Sequence, residues 1–278
     1  MGTVATLMNL LAIPFPAIDP ALIEIGPFAV RWYSLAYVAG IVFAWIYMKR
    51  LVSNGALWAG EPPITPLQID DLLLWSTLGV ILGGRIGYIL AYNPAAYLAD
   101  PLSIFAIWNG GMSFHGGFLG VVLAVAVFCR ANGLRFLPVI DAVATGVPIG
   151  LFFGRIANFI NGELFGRVTD VPWAVVFPNG GPAPRHPSQL YEAALEGLLL
   201  FLTIRLCTHR LFKLKQTGFI SGVFALGYGA SRVAVEFFRK PDDQIGFLAG
   251  GATMGMMLSV PMILVGVFLL FRARTAPS

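Results

Sequence analysis

The chain has 278 residues, of which 57% are hydrophobic and 12% are charged, and its formal net charge is +4. A typical soluble domain has ~25% charged residues, and the runs 101–129 and 244–271 contain no Asp, Glu, Lys or Arg. Because ~20 apolar residues let a helix cross a bilayer, this composition excludes a soluble protein. It also excludes a membrane β-barrel, whose strands are short alternating segments, and the modest positive charge does not indicate nucleic-acid binding.

Seven membrane-spanning helices are predicted from the apolar runs, with proline and glycine turns between them. The preceding residues, 1–26, are predicted to form an N-terminal interfacial arm, because Pro14 and Pro16 interrupt their apolar start. Region 158–188 is predicted to be a loop outside the membrane. We therefore expect an all-α polytopic membrane protein with a small extracytoplasmic elaboration, built as a single integral-membrane domain over 1–278. The predicted spans are 27–48, 70–92, 112–129, 137–157, 189–207, 217–238 and 247–271.

Lysine and arginine residues follow the first, third, fifth and seventh of these spans. Cytoplasmic loops carry an excess of such residues, so these loops are predicted to be cytoplasmic. The N-terminus and the 158–188 loop then lie outside, and the C-terminus lies in the cytoplasm. Cys129 and Cys207 lie near basic clusters and are interpreted as free thiols rather than as a disulfide. The basic residues are Lys49, Arg50, Arg130, Arg135, Arg210, Lys213, Lys215, Arg272 and Arg274.

Three arginines do not fit this distribution, because Arg85, Arg155 and Arg232 lie within spans or at their outer ends. A charged side chain at membrane depth costs about 2.5–3.5 kcal/mol on insertion scales, so such residues usually face a protein interior or a wet cavity. The topology does not require them there, and we interpret them as functional. The spacing of Arg85, which lies among glycines, does not assign its role.

Polar groups are concentrated where the fourth span ends, in the stretch GRIANFINGELFGR, residues 154–167. Asn158 and Asn161 are compatible with hydrogen bonds between helices, and Arg155 is compatible with snorkelling to the interface. Helix packing alone does not require an arginine and a glutamate within nine residues of each other, so a functional site is favoured. A stripe of glycines that lets a neighbouring helix approach closely precedes the stretch. It consists of Gly146, Gly150 and Gly154.

The sixth span carries Tyr228, Arg232 and Glu236 on one helical face, with Arg239 at its outer end. One alternative is that Arg232 and Glu236 pair only with each other and have a purely structural role. A second guanidinium, from Arg155 at similar depth, favours a site. Guanidinium groups bind phosphate oxygens bidentately, so arginines that converge on the outer side predict an anionic ligand. A phospholipid head group is the anion that arrives by diffusion within the bilayer.

His115 begins the third span among glycines, which allow a backbone or ligand to approach closely. A buried structural histidine is an equally good interpretation. Ser113 does not form a local catalytic pair with it, because residues two apart on a helix point to different sides. His186 and Pro187 open the fifth span, either as a helix entrance or as part of the site. Tyr33 is by default an aromatic anchor at the membrane interface.

Together these motifs resemble the prolipoprotein diacylglyceryl transferases, and the resemblance covers nearly the whole chain. It implies transfer of the diacylglyceryl group of phosphatidylglycerol to the lipobox cysteine thiol of a prelipoprotein, which forms a thioether and releases glycerol phosphate. It further implies a bacterial inner-membrane enzyme without metal or cofactor, and we expect a monomer. The motifs are 154–166 (GRIANFINGELFG), 31–37 (RWYSLAY), 112–117 (MSFHGG), 185–192 (RHPSQLYE) and 228–242 (YGASRVAVEFFRKPD).

The resemblance also implies roles for individual residues. Arg155 and Arg232 are expected to clamp the lipid phosphate, and His115 is the expected general base for the thiol. The glutamates are expected to orient the arginines or to contact the head group, and the asparagine to bind the glycerol. The tyrosines are expected to position a proton, and the glycine gives the backbone room to turn. The expected substrate-binding residues are Arg155, Asn158, Glu163, Gly166, Tyr33, Tyr228, Glu236 and Arg239.

A membrane transporter for an organic or phosphorylated anion is the alternative function. Interior arginines and glycine-interrupted helices suit such a protein equally well. However, the sequence has no repeated half with matching broken helices, and its arginines cluster toward one face instead of marking a path across the membrane. The transferase is therefore favoured.

Overall fold

The computed structural model describes residues 13–16, 21–25, 28–92, 94, 97, 100–106, 110–241 and 248–275. Within these residues, seven long helices follow one another, each connected to the next by a turn or a loop. They are α1 (Trp32–Val52), α2 (Pro66–Tyr92), α3 (Phe114–Ala131), α4 (Phe136–Ile160), α5 (the consecutive segments Ser188–Glu192, Ala193–Leu199 and Leu200–His209), α6 (Phe219–Glu236) and α7 (Met254–Thr275).

A helix lies at each of the predicted spans, which confirms the class of all-α polytopic membrane protein. Four of the described helices are long and apolar enough to cross a membrane, and α3 is a shorter apolar helix. The remaining two, α5 and α6, carry several charged side chains. The four are Trp32–Val52, Pro66–Leu90, Phe136–Ile160 and Met254–Ala273.

The helix ends differ from the predicted spans where single capping residues determine them. The α2 helix begins four residues before the predicted start of the span, because Thr65 and Gln68 form a capping box there. The amide of Thr65 donates to Oε1 of Gln68 at 3.0 Å, and the amide of Gln68 donates to Oγ1 of Thr65 at 3.2 Å. The α7 helix begins seven residues late, where Oγ1 of Thr253 accepts from the amide of Met256 at 3.3 Å. Such polar caps lie outside the apolar pattern from which spans are predicted.

Short strands form two small sheets on the side of the molecule where α1 begins. The strands are β1 (Ile13–Pro14), β2 (Ala21–Ile25), β3 (Phe28–Arg31) and β4 (Val175–Val176). The β1 strand pairs in parallel with β4, which lies in the loop between α4 and α5, and β2 pairs antiparallel with β3. Because β3 leads directly into α1, that helix begins at 32 and not at 27. Residues 1–12, 17–20 and 26 of the predicted arm lie outside the described residues.

The helices pack in antiparallel pairs, with α1 on α4, α2 on α3 and α6 on α7. Glycines permit the close approach. A Cβ atom on Gly79 of α2 would lie 2.6 Å from the carbonyl oxygen of Gly120 in α3, and one on Gly40 of α1 would lie 3.3 Å from Cα of Gly150 in α4. Gly150 belongs to the predicted glycine stripe. A Cβ atom on Gly146 of the stripe would lie 3.1 Å from the Met48 side chain of α1, whereas one on Gly150 would meet no atom within 4 Å, so the stripe faces both α1 and the cavity.

Buried side chains differ in character between the two ends of the helices. Where α1 ends and α2 begins, the buried side chains are mostly apolar and include Leu51, Ile69 and Phe128. At the opposite end, where α4 ends and α5 begins, the buried residues include Glu192 and Glu236. Ionised groups are buried at a cost unless they are paired, so this second end is where a functional site is expected.

Candidate active site

A cavity with a volume of about 500 Å³ lies between α1, α2 and α4, with contributions from α3 and α6. Most of its wall is apolar and is formed by residues such as Ile41, Leu72 and Val147. Arg155 and Asn158 contribute polar groups near the end of α4. An apolar chamber with a few polar groups at one end is the usual form of a site for a largely apolar ligand.

Glu192, near the start of α5, joins three arginines beside this polar end. Its side chain is fully buried. Its Oε1 lies 2.7 Å from Nη1 of Arg232 and 2.8 Å from Nη1 of Arg239, and both contacts are hydrogen bonds. Its Oε2 lies 3.1 Å from Nε of Arg155, an ion pair that lacks hydrogen-bond geometry. One carboxylate thus holds guanidinium groups from α4 and from the α6 region.

Two further carboxylates complete this ion cluster. Glu196, also fully buried, places Oε2 3.3 Å from Nη2 of Arg155. Glu236 pairs with Nη2 of Arg232 and accepts a hydrogen bond from Oγ1 of Thr253 at 2.6 Å. Among the described residues the cluster contains three arginines and three glutamates, so its formal charges balance. Balance matters because an unpaired charge at this depth would be strongly destabilising.

A wide π-helical turn, Ala193–Leu199, carries the second buried glutamate of α5. Such turns are rare and often occur at functional sites. Gly197 in this turn packs directly on α4, where a Cβ atom would lie 2.6 Å from Cβ of Phe152. This close approach of α5 to α4 brings both α5 glutamates within reach of Arg155.

Three polar groups on the cavity wall form no hydrogen bond with any residue that the structure describes. They are Nη1 of Arg155, the side-chain amide of Asn158 and the hydroxyl of Tyr228. Asn158 is only 5% exposed, so the helix packing fixes its position. A guanidinium edge, an amide and a hydroxyl in one wall are suited to a phosphate ester and its alcohol.

The chain turns sharply directly after α4. Gly162 has a φ of 65°, and Leu164 has a φ of 56°, which is strained for a residue other than glycine. Side chains at the start of α5 hold this turn. Nε2 of Gln189 donates to the carbonyl oxygen of Glu163 at 2.5 Å, and Oγ of Ser188 donates to that of Leu164 at 3.0 Å. The partly buried carboxylate of Glu163 forms no ion pair within the described part of the chain.

Gly166 joins this loop to the end of α6. It pairs with Arg239 in an isolated β-bridge, and its amide donates to the carbonyl oxygen of His186 at 2.9 Å. A Cβ atom on Gly166 would lie 2.7 Å from Cβ of His186, so glycine is required there. The Nδ1 atom of His186 lies 3.1 Å from the hydroxyl of Tyr191, and partial burial lowers the pKa of this loop histidine.

A family model described as prolipoprotein diacylglyceryl transferase matches residues 20–272. The chain belongs to this family. Two similar relatives are named phosphatidylglycerol–prolipoprotein diacylglyceryl transferase. The protein from Brucella canis is 58% identical and that from Brucella ovis is 57% identical, each over 275 residues that cover 98% of both chains. The family membership inferred from the sequence motifs is confirmed.

In this member of the diacylglyceryl transferase family, most of the predicted site residues lie together. Tyr33 lies next to the cavity wall, because its hydroxyl donates at 3.3 Å to that of Tyr37, which lines the cavity. Glu163 and Gly166 lie in the loop after α4. His115 is in the first turn of α3, and its side chain lies outside the part that the structure describes. The predicted residues in the ion cluster or on the cavity wall are Arg155, Asn158, Tyr228, Arg232, Glu236 and Arg239.

Glu192, Glu196 and Tyr37 are not among the residues predicted for the site. The two glutamates lie four residues apart in an apolar segment. A charge at membrane depth is a signal of function, and this criterion, which singles out the arginines, identifies the two carboxylates equally well. Tyr37 gives no such signal, because tyrosine is common near membrane interfaces.

Arg85, whose role its spacing does not assign, has a structural role in the loop before α3. It is buried, and its guanidinium donates to the carbonyl oxygens of Ser103, Ile104 and Gly110 at 2.5, 2.8 and 2.6 Å. Within the described residues it forms no ion pair with a carboxylate. It therefore fixes the chain that leads into α3 and does not belong to the arginine cluster.

Proposed function

We propose that the protein transfers the diacylglyceryl group of phosphatidylglycerol to the lipobox cysteine thiol of a prelipoprotein. The observation that carries the proposal is the arginine–glutamate cluster beside the polar end of an apolar cavity, in a chain 58% identical to a protein named for this activity. The names of the relatives favour a transferase over the anion transporter.

In this proposal the lipid enters the cavity in one orientation. Its acyl chains lie along the apolar wall, where burial contributes about 0.8 kcal/mol for each CH₂ group. Its phosphodiester lies at the polar end, against Nη1 of Arg155, and the adjoining glycerol lies against the amide of Asn158. Guanidinium groups match phosphate oxygens in geometry as well as in charge.

The reaction exchanges one bond for another at the terminal glyceryl carbon. The thiolate sulfur attacks this carbon, so the S–C bond forms as the C–O bond to the phosphate breaks. The electron pair of the C–O bond leaves with glycerol phosphate, and the thiol proton passes to a base. Negative charge therefore develops on the phosphate, where Arg155 and Arg232 stabilise it.

His115 is the base in this proposal. A thiol has a pKa of ~8.5 and is mostly protonated at neutral pH, whereas imidazole titrates near neutrality and can accept its proton. The glutamates orient the arginines or contact the head group, the tyrosines position the proton, and the asparagine binds the glycerol. The residues assigned to substrate binding are Tyr33, Arg155, Asn158, Glu163, Gly166, Tyr228, Glu236 and Arg239.

The proposed location is the bacterial inner membrane, with the N-terminus outside, the C-terminus in the cytoplasm and the site toward the outer face. The basic residues support this orientation. Lys49 and Arg50 lie in the last turn of α1 and Arg130 in that of α3, at the ends remote from the arginine cluster. A monomer is proposed, because the formal charges of the described cluster balance within one chain and require no further charged residue.

The test uses purified protein in phosphatidylglycerol liposomes with a lipobox peptide. Mass spectrometry follows the gain of the diacylglyceryl group by the peptide, and a coupled assay follows glycerol phosphate. We expect both products from the wild type and neither from Arg155→Ala. A folded wild type that makes no thioether, yet moves a phosphorylated anion across the liposome membrane, would favour the transporter.

A further inference from the structure

We propose that Glu192 is a positioning residue, which sets the separation and orientation of three guanidinium groups so that they bind the lipid phosphate as one surface. This inference rests on the transferase activity proposed above. It adds a residue that acts on the reaction through the arginines and not by touching the substrate.

The three arginines need such a partner because they come from different parts of the chain. Arg155 is on α4, Arg232 is on α6, and Arg239 follows the end of α6. Their side chains are only 18%, 14% and 14% exposed, so water screens their mutual repulsion poorly. Glu192 faces all of them and uses separate oxygens for the α4 group and the α6 groups.

The other two carboxylates of the cluster do not span this gap. Within the described residues, Glu196 pairs with Arg155 alone, and Glu236 pairs with the arginines of the α6 region. Glu192 is the member of the described cluster whose contacts join α4 to α6. Its loss therefore separates the phosphate-binding surface into two parts, whereas loss of Glu196 leaves that link in place.

The location of Glu192 indicates action through the arginines. It is fully buried and does not line the described cavity, and of the three arginines that it contacts, Arg155 is the one that lines this cavity, with Nη1 available to a ligand. The carboxylate lies 3.1 Å from Nε of the same guanidinium and so restrains the position of the edge that faces the ligand. A displacement of about 1 Å in a positioned group can lower a rate by about 10²-fold.

Glu192→Gln tests this role while keeping the size of the side chain. One of the two terminal atoms becomes an NH₂ donor, which cannot accept a contact from a guanidinium. Either Arg155 or the α6 arginines then lose their partner. We expect the KM for phosphatidylglycerol and the inhibition constant of glycerol phosphate to rise together by about tenfold, with the KM for the peptide unchanged.

The experiment is the liposome transferase assay, with lipid and peptide varied separately and glycerol phosphate added as an inhibitor. Glu196→Gln is expected to have a smaller effect on the same two constants. Asp170→Asn removes a carboxylate from an exposed position of the loop between α4 and α5 and is the matched control, expected to behave as the wild type. Glu192→Asp keeps the charge on a shorter side chain and is expected to be intermediate.

Each of the other possible outcomes would overturn either this proposal or the proposed function on which it rests. A purely structural role lowers the amount of active enzyme, so kcat falls while both lipid-side constants stay unchanged, and this result would overturn the proposal. Tighter inhibition of Glu192→Gln by glycerol phosphate would also overturn the proposal. It would mean that Glu192 only neutralises positive charge and does not position the arginines for the phosphate. If Glu192→Gln does not fold, Glu192→Asp decides by the same two constants. A wild type without thioether product refutes the proposed function itself, before any variant is compared.

Discussion

Nη1 of Arg232 lies 2.7 Å from Oε1 of Glu192, although 40 residues separate the two along the chain. This bond joins α6 to α5, and because Oε2 of the same carboxylate contacts Arg155 at 3.1 Å, it also connects α6 to α4. Charge-assisted hydrogen bonds are stronger than neutral ones, and a buried pair is costly to break. The cluster therefore behaves as one unit, and a change at one member is expected to act on the others.

Arg155→Lys is expected to lower kcat/KM for phosphatidylglycerol by at least about 10²-fold, which corresponds to ~2.7 kcal/mol of transition-state stabilisation. Nε and Nη2 of this guanidinium face Glu192 and Glu196, and Nη1 remains for the ligand. An ammonium group keeps the charge but cannot hold these three directions at once.

The liposome assay measures this loss, and Arg205→Lys is the control. Arg205 is an exposed arginine on α5 remote from the cluster, so its replacement is expected to leave the rate unchanged. If charge alone were sufficient, Arg155→Lys would turn over like the wild type, and the requirement for a guanidinium at this position would be wrong.

Asn158→Asp is expected to be more harmful than Asn158→Ala. The amide lines the cavity beside Arg155 and forms no hydrogen bond with the described residues. Its removal costs one hydrogen bond, about 1 kcal/mol, and raises the KM for the lipid about fivefold. A carboxylate there repels the phosphate and competes for the guanidinium, so it raises the KM further. Lipid titrations at saturating peptide measure both values, and equal KM values for the two variants would contradict a position of residue 158 close to the phosphate.

The positions of the helices follow from the sequence because lipid-facing side chains must be apolar along a whole span. Leu119 and Phe268 are 64% and 61% exposed and belong to long apolar runs. The helix ends do not follow in the same way, because one polar side chain such as Thr65 decides where α2 begins.

The arginines of the site are also visible in the sequence, because a charge at membrane depth must have a reason. Which glutamate pairs with Arg155 is not visible there. The contact between Arg155 and Glu192 depends on the π-helical turn and on the packing of Gly197 against Phe152. No local sequence pattern specifies which two helices will pack so closely. The resemblance to the family rests in part on the motif that contains Glu192, but it does not indicate which residues Glu192 contacts.

Arg85→Ala is expected to loosen the loop before α3 without removing the arginine cluster. The guanidinium donates to the carbonyl oxygens of Ser103, Ile104 and Gly110. Loss of the guanidinium leaves these partly buried acceptors to water, which costs about 1 kcal/mol for each hydrogen bond. Hydrogen exchange at residues 100–106 and 110–111 is expected to accelerate, and the melting temperature to fall. Unchanged exchange in this region would show that the loop is held by other contacts.

Gly166→Ala distinguishes a packing role for this glycine from direct substrate binding. Its Cβ atom would meet Cβ of His186 at 2.7 Å and the carbonyl oxygen of His186 at 2.8 Å. The β-bridge to Arg239 would then have to shift, so we expect a lower melting temperature together with a higher KM for the lipid. A higher KM at an unchanged melting temperature would instead favour direct contact with the substrate.

His186 is expected to make stability depend on pH. Partial burial lowers its pKa in the folded protein, whereas an unfolded chain has the ordinary value of ~6.5. Below that value the unfolded state binds more protons than the folded state, so stability falls as the pH falls from ~6.5 through the lower folded pKa. At higher pH both states are neutral and the effect vanishes.

His186→Gln removes this titration and keeps a polar side chain next to Tyr191. Melting temperatures of the wild type and of the variant, measured in detergent between pH ~8 and pH ~5, test the prediction. The wild type is expected to lose more stability toward the acid end, because protonated imidazole is disfavoured in its partly buried position between Tyr191 and Phe238. Other titrating groups are common to both proteins and cancel in the difference. Parallel curves would mean that His186 titrates as it does in the unfolded chain.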